Sequence, residues 1–513
     1  VKDFAKRIAA LSPEQRELLK EKLKQEGMDL DRDFKAVEVG QFPPIEPVEK
    51  KEYYPLSSVQ KRLFLLDQLE GTGTAYNVSL YRMVEGDLPL VRSEEIFAGL
   101  IERHGSFRTS FRSVGRQTVQ RVHGEVDFKL EYYEFDSILS VDDYHRSPEI
   151  KGVLGNFIRP FDLAKAPLLR VGLIKLGGGG SILMVDMHHI ISDQASRRIL
   201  WNDFTRLHQG QVLPTLKIQY ADFTEWCNST EVRQVLAHQQ SYWLEELAAD
   251  IPVINLPTDY VRPERKNFKG DSLNIRLDPE TTGMLKTLAR QESTTLFVVM
   301  LSIYFIFLSK LSRQRDVLVG TPTIGRRHVG LDCIIGMFVN TIVLRGRVEE
   351  AQTFRDFLRQ VKTRTLQSFE NQDYQFEDLV HKLIKKRDPG RNPFFDVFFT
   401  FTYPEVEQVA EDISLDHDEA VSEIMDSLAA AKFSMFDMFL FGAEIGETLI
   451  LGITYAASLF KRETVERFVQ YFKEIVLSVV ANGEITLGEI KISHHLGTAK
   501  AEVFGSEDRE FEF

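Results

Sequence analysis

From Pro167 to Gly210 the sequence runs through a strand pattern ending at Leu176, four glycines at Gly177 to Gly180, a second strand pattern from Ser181 to Met187, and a helical pattern. Two apolar runs joined by a short glycine turn predict a β-hairpin. Beyond it, Ile199, Leu200, Phe204 and Leu207 share one face of a helix from Ala195 to His208, which Gly210 stops. A hairpin feeding a helix commits this stretch to an α/β arrangement. It also delivers two adjacent histidines, His188 and His189, to a strand-to-helix turn.

The same alternation of strands and helices extends from Tyr54 to about Gln211. It resumes, after a Pro-rich passage from Ile251 to Pro263, as far as about Val480. At about 100 to 200 residues per domain, 513 residues hold two to four folding units. Two α/β lobes of similar size account for the pattern, although no internal repeat relates the halves. The expected division is an N-terminal helix and linker (1–48), an N-terminal lobe (49–225), a C-terminal lobe (226–492) and an acidic C-terminal linker (493–513). The first helix is marked by Ser12 as cap, Pro13 at the first helical position and Gln15 closing a capping box; Phe42-Pro43-Pro44 to Pro47 reads as linker. Leu296 to Leu308 is apolar apart from Ser302, yet shorter than the roughly 18 to 20 residues a bilayer span needs. It is expected to be a buried core helix.

Charge removes several classes of partner. Lys plus Arg number 63 against 76 Asp plus Glu, a net charge of −13, which argues against nucleic acid or an anionic membrane as the main partner. Only Cys227 and Cys333 occur, so a disulfide framework is excluded and a reducing cytoplasm is the expected compartment. The chain begins at Val1 without the features of a secretion signal and reads as a segment of something longer.

The chemistry concentrates in Met187-His188-His189-Ile190-Ile191-Ser192-Asp193-Gln194. Adjacent residues on a strand point to opposite faces, so only one of the two histidines can face a given cleft. The other, with Asp193, is then a structural element of the turn. The helix beginning near Ala195 is expected to aim its partly positive N-terminus back at the site. An imidazole with an ordinary pKa of about 6.5 can take or orient a proton near neutrality, and backbone N–H groups can steady an oxyanion, which together suit acyl transfer. The bland reading is a polar pair that ends a strand and hydrogen-bonds the backbone. His494 and His495 form a second pair with no Asp at matching spacing and read as surface decoration. No HExxH pattern and no Cys pair at zinc spacing supports a metal.

Seven motifs in order along the chain carry a resemblance to nonribosomal peptide synthetase condensation domains, from Tyr53 to about Ile492. His188 to Asp193 resembles HHxxxDG without its final Gly. Ser57 to Phe64, which includes Arg62, resembles SxAQxRLW, and Arg103 to Phe111, which includes Arg108, resembles RHxxLRTxF. Tyr220 to Trp226 is similar to YxDFAxW, and Ile335 to Thr341, which includes Asn340, to IGxFVNT. Asn371 to Glu377 resembles HQDYPFE with Asn for His, and Arg387 to Pro393 completes the set.

The resemblance implies two chloramphenicol acetyltransferase-like lobes forming a V with a central tunnel. Upstream donor and downstream acceptor carrier proteins, each bearing a 4′-phosphopantetheine arm, enter it from opposite ends. No intrinsic cofactor is implied, and neighbouring synthase domains are. The acceptor amine would attack the donor thioester to give an amide. By the same resemblance His189 faces the tunnel and His188 is its inward partner. Asp193 pairs with Arg326 of the other lobe, while Arg62, Arg108, Gln194 and Asn340 support the site.

Gln194, where the pattern has Gly, is expected to narrow the tunnel or alter the turn, or to cost little if the Gly serves only backbone freedom. The role of Asn371 is not derivable from sequence. The domain is expected to condense still, with an unusual donor preference. Rival readings are a related acyltransferase, since His188 or His189 with Asp193 also fits Hx4D or HxxxD, an epimerisation-type domain, and a degenerate carrier-binding domain. This chain has no DFGWG element and no membrane-anchoring segment, the companions the first would need, and Phe338 to Thr341 looks like the condensation version rather than the epimerising one. Leu176 to Ile182, with Ser181, superficially looks like a carrier attachment site but lies between strands; without a following Lys-Ser or Lys-Thr it is no P-loop either.

Overall fold

The computed structural model describes residues 42–68, 73–84, 88–135, 147–177, 180–247, 251–328, 330–386, 388–402 and 433–493. The expected helix after Ser12, Arg387, the His494–His495 pair and the acidic tail lie outside the described residues.

The first half contains β1 (Tyr54–Pro55), α1 (Ser58–Asp67), β2 (Asn77–Val84), α2 (Leu90–Arg103), β3 (Thr109–Val114), β4 (Gln117–Val122) and β5 (Glu131–Phe135). It continues through α3 (Pro148–Phe157), β6 (Leu169–Leu176), β7 (Ser181–His188), α4 (Gln194–His208), α5 (Tyr220–Asn228) and α6 (Thr230–Glu246). The hairpin read from sequence is β6 paired antiparallel to β7, inside a four-stranded sheet ordered β2-β7-β6-β5. Both faces of β7 are covered. Leu183, Val185 and Met187 enter a core with Phe97, Leu100, Leu200 and Phe204 of α2 and α4, whereas Ile182 and Met184 pack with Ile150 and Phe157 of α3. Burial on both faces is why this strand reads as a near-continuous apolar run rather than an alternating one.

The second half contains β8 (Gly270–Leu277), α7 (Pro279–Gln291), α8 (Leu296–Ser312), β9 (Asp316–Thr323), β10 (Asn340–Arg347), α9 (Phe354–Glu370) and α10 (Phe376–Leu383). β11 (Val397–Thr402), β12 (Met438–Ile445), β13 (Thr448–Ala456) and α11 (Arg462–Ala481) follow among the described residues. Its mixed sheet has the order β10-β9-β11-β12-β13-β8. The expected core helix is α8, which starts where the Thr295 hydroxyl accepts the Val298 N–H at 3.4 Å. Its apolar residues are buried on all sides against the sheet, α7, α9 and α11, the packing expected of a helix apolar all round. Residues 251–269 form no helix or strand, as the prolines require.

The halves are stitched together by segments that cross. Ile335 and Met337, from the connection between β9 and β10, are buried in the core of the first half. Phe338 joins Tyr220 and Phe223 of α5 in a separate cluster. Tyr220 Oη donates to the Met337 carbonyl at 2.5 Å, and Ser106 Oγ donates to that of Ile335 at 2.6 Å. The boundary expected between 225 and 226 falls inside α5. Residues 42–48, read as linker, form no regular element but are held on α5. The Trp226 indole donates to the Pro43 carbonyl at 2.8 Å, and Asp222 accepts the Val48 N–H at 2.8 Å.

Candidate functional site

β7 ends at His188, and His189 opens a 3-10 turn, His189–Ile191, that leads to α4. The two histidines therefore do not diverge by strand alternation, as expected from sequence; the chain leaves the strand between them. His188 stays in the sheet, opposite Asn77, and is buried. Its Nδ1 accepts the Ile190 N–H at 3.0 Å, so that nitrogen carries no proton. A neutral ring then bears its proton on Nε2, which lies 3.8 Å from Asp67 Oδ1 at the end of α1.

His189 is half-buried and held the opposite way. Its backbone N–H donates to the Tyr76 carbonyl at 2.7 Å, and its Nδ1 lies 2.6 Å from the Ser192 carbonyl. A carbonyl can only accept, so Nδ1 is the protonated nitrogen and Nε2 of the neutral ring is the free base. Burial pushes the His189 pKa below the ordinary imidazole value. The Ser192 carbonyl and the Asp193 carboxylate oppose that shift without cancelling it.

Asp193 is buried and fully engaged. As N-cap of α4, its Oδ1 accepts the Ser196 N–H and the Ser196 hydroxyl, both at 2.7 Å. Arg326 Nη2 reaches both carboxylate oxygens, at 2.9 and 3.1 Å, and the Phe338 N–H donates to Oδ2 at 3.2 Å. Arg326 Nη1 goes to the carbonyls of Leu331 and Ile334, both at 2.6 Å, and its Cζ lies 4.0 Å from the centre of the Phe338 ring. This node joins the halves, and the expected pairing of Asp193 with Arg326 is present. At the α4 N-terminus, Asp193 satisfies the Ser196 N–H as a cap. Gly325 lets Arg326 reach this position. Its φ is +67°, and a Cβ there would sit 1.8 Å from the Phe338 carbonyl oxygen, a place open only to glycine.

The other supporting residues fall at different places. Gln194 is the first residue of α4, with an exposed side chain and no positive φ, so its backbone does not call for glycine. Asn340 is buried, donating to the carbonyls of Gln372 and Tyr374 at 2.9 and 2.8 Å and accepting the Phe376 N–H at 3.1 Å; it fixes the entry to α10. Arg62 of α1 reaches across to α10, 5.5 Å from the centre of the Phe376 ring and 3.4 Å from Glu377 Oε1, beside a cleft of about 10 Å³. Arg108 binds main-chain carbonyls of Ile101, Glu102, His123 and Gly124 and none of the residues of the histidine turn. Asn371 caps α9, its side chain donating to the Gln367 carbonyl at 2.8 Å, while its own carbonyl accepts the Trp243 indole at 2.8 Å.

Sequence reasoning missed Ser196, although a Ser three residues after an Asp cap is a readable signal. It also missed Asp186, two residues before His188 on β7. Asp186 is buried among Arg170 (2.6 Å), Ser79 (2.8 Å) and Asn77 (2.9 Å). Burial raises its carboxyl pKa, against the pull of these partners.

The condensation-domain family model matches residues 50–500. The chain is 42% identical over 446 residues to tyrocidine synthase 3 of Brevibacillus parabrevis, covering 87% of this chain and 7% of that protein. It is 39% identical over 450 residues to gramicidin S synthase 2 of Brevibacillus brevis, covering 88% and 10%. The chain thus spans a tenth or less of the length of these two relatives. Among solved structures it is similar to the X-domain from teicoplanin biosynthesis, with a TM-score of 0.74 at 18% identity over 88% of this chain and all of that one. At that identity the likeness speaks to the fold, and it bears out the expected α/β class. A family match across both halves, joined to a histidine turn locked by Asp193 and Arg326, places the chain in the condensation-domain family, the kind found in nonribosomal peptide synthetases.

Proposed function

We propose that this domain forms an amide bond, transferring an acyl or peptidyl group from the thioester of an upstream carrier protein to the amine of an aminoacyl group on a downstream carrier. The observation that carries this reading is the tautomer of His189, whose Nδ1 proton is committed to Ser192 and whose Nε2 is left as a base. The amine nitrogen attacks the thioester carbonyl carbon, a C–N bond forms and the C–S bond breaks. The proton lost by the amine passes to His189 Nε2 and on to the departing sulfur, giving an amide and a free thiol. Holding both reactants in register at this turn supplies a further part of the rate.

The 4′-phosphopantetheine arms belong to the carriers and arrive as part of the substrates, through the channel expected between the two halves. Neighbouring synthase domains would present those carriers, and the two free cysteines fit a reducing cytoplasm. The test is a mass-spectrometric assay with one carrier loaded with an acyl group and the other with an amino acid. Amide product from wild type and at least a hundredfold less from His189→Ala is expected; equal product from both removes His189 from the reaction.

A further inference from the structure

Tyr76 stands immediately before β2, and its carbonyl accepts the His189 N–H at 2.7 Å. Its ring lies 6.2 Å, centre to centre, from that of His188. The next residue, Asn77, is fixed by bonds from its amide to Asp186 Oδ2 at 2.9 Å and to the Arg159 carbonyl at 3.0 Å. Among the described residues, the contacts that tie Tyr76 to the histidine turn therefore run through its main chain and its ring, tilted 44° to that of His188. The phenol hydroxyl takes no part: it is buried and has no hydrogen-bond partner among the described residues. The charges that act on it are those of Arg62 and Asp67, the first beside the cleft between the halves and the second beside His188.

A buried hydroxyl without a partner costs stability, and a phenylalanine would pack the same ring without that cost. Such a group next to a reactive turn is accounted for when its partner is the substrate. We propose that the Tyr76 hydroxyl is a substrate contact, donating a hydrogen bond to a carbonyl oxygen of the carrier-borne acyl chain, at the thioester or at an amide close to it. The hydroxyl would then orient the chain against the same turn that presents His189. This inference rests on the acyl-transfer reading above.

The test compares wild type, Tyr76→Phe and His189→Ala in the two-carrier assay, with the thermal midpoint of each. Tyr76→Phe is expected to lower kcat/KM at least tenfold while its midpoint stays level or rises. A fall in kcat marks a carbonyl that gains charge in the transition state, and a rise in KM marks one bound equally in the ground state; either supports the contact. Undiminished kcat/KM in Tyr76→Phe overturns it, as does a lowered midpoint, which would make the hydroxyl part of the fold. No amide from wild type sinks both this inference and the acyl-transfer reading. Amide from wild type, none from His189→Ala and an unaltered Tyr76→Phe sinks this inference alone.

Discussion

His188 and His189, consecutive in the chain, hold their rings in opposite tautomers: Nδ1 of His188 accepts the Ile190 N–H, whereas Nδ1 of His189 donates to the Ser192 carbonyl. Of the two, His189 keeps Nε2 as its base, and His188 spends its acceptor on the turn itself.

The pH dependence of the reaction should report this arrangement. Burial lowers the His189 pKa, so the ring stays neutral to a more acidic pH than an ordinary imidazole. A base works only when unprotonated, and activity is lost as pH falls through its pKa. The acid limb of kcat/KM between pH 5 and 8 is therefore expected below about 6.5, the unperturbed value. The acceptor amine, with an ordinary pKa of about 7.7–8.0, adds its own limb above pH 7, so the limb below it is the one to read. If that lower limb persists unchanged in the residual activity of His189→Ala, the proton transfer belongs to another group.

The Asp193–Arg326 node should be expensive to break from either side. Asp193→Ala leaves a buried guanidinium, the Phe338 N–H and the Ser196 N–H without their acceptor. Removing one member of a buried pair costs about 3–5 kcal/mol. Urea denaturation should show a loss of that size for Asp193→Ala and for Arg326→Ala, and a double variant losing clearly less than the sum. Additive losses would mean that the two side chains act independently.

How much of this was legible in the sequence follows from the range of the interactions. The β6–β7 hairpin, α4 and the buried α8 were readable because each is written in a local pattern: glycines between two apolar runs, one apolar helical face, and the apolar run from Leu296 to Leu308 broken only by Ser302. Asp193 and Arg326 lie 133 residues apart, and nothing local in either segment announces the other; a family resemblance supplied that pair. The seating of residues 42–48 escaped notice because prolines without periodicity look the same whether docked or free, and what holds them, Trp226 and Asp222, lies on a distant helix. The histidine tautomers were out of reach as well, since they depend on where the strand stops.

Gln194 is where sequence pattern and structure part most usefully. The expected strain at this position turns on the backbone and the expected narrowing on the side chain; residue 194 is the first residue of α4, with no positive φ, and its side chain is exposed. Gln194→Gly should therefore cost no more than about 1 kcal/mol through helix propensity and leave the condensation rate within about twofold of wild type. A tenfold gain in rate would show instead that the glutamine obstructs the reactants.

Arg108 sits in one of the motifs that carry the family resemblance, but its contacts are those of a structural clamp. Ile101 and Glu102 belong to the last turn of α2, whose carbonyls have no partner within the helix. The Arg108 guanidinium donates to them at 3.0 and 3.2 Å while also holding the carbonyls of His123 and Gly124 just past β4. One planar fork thus joins a helix end to a strand end, which a lysine, with a single point of charge, cannot reproduce. Hydrogen bonds from a charged group contribute about 1.5–3 kcal/mol, and a loss in that range is expected in urea denaturation of Arg108→Ala, with Arg108→Lys recovering little of it. Because none of these contacts touches the histidine turn, the folded fraction of either variant should condense with wild-type kcat at a temperature well below its midpoint. A drop in kcat without a drop in stability would move Arg108 from the scaffold into the chemistry.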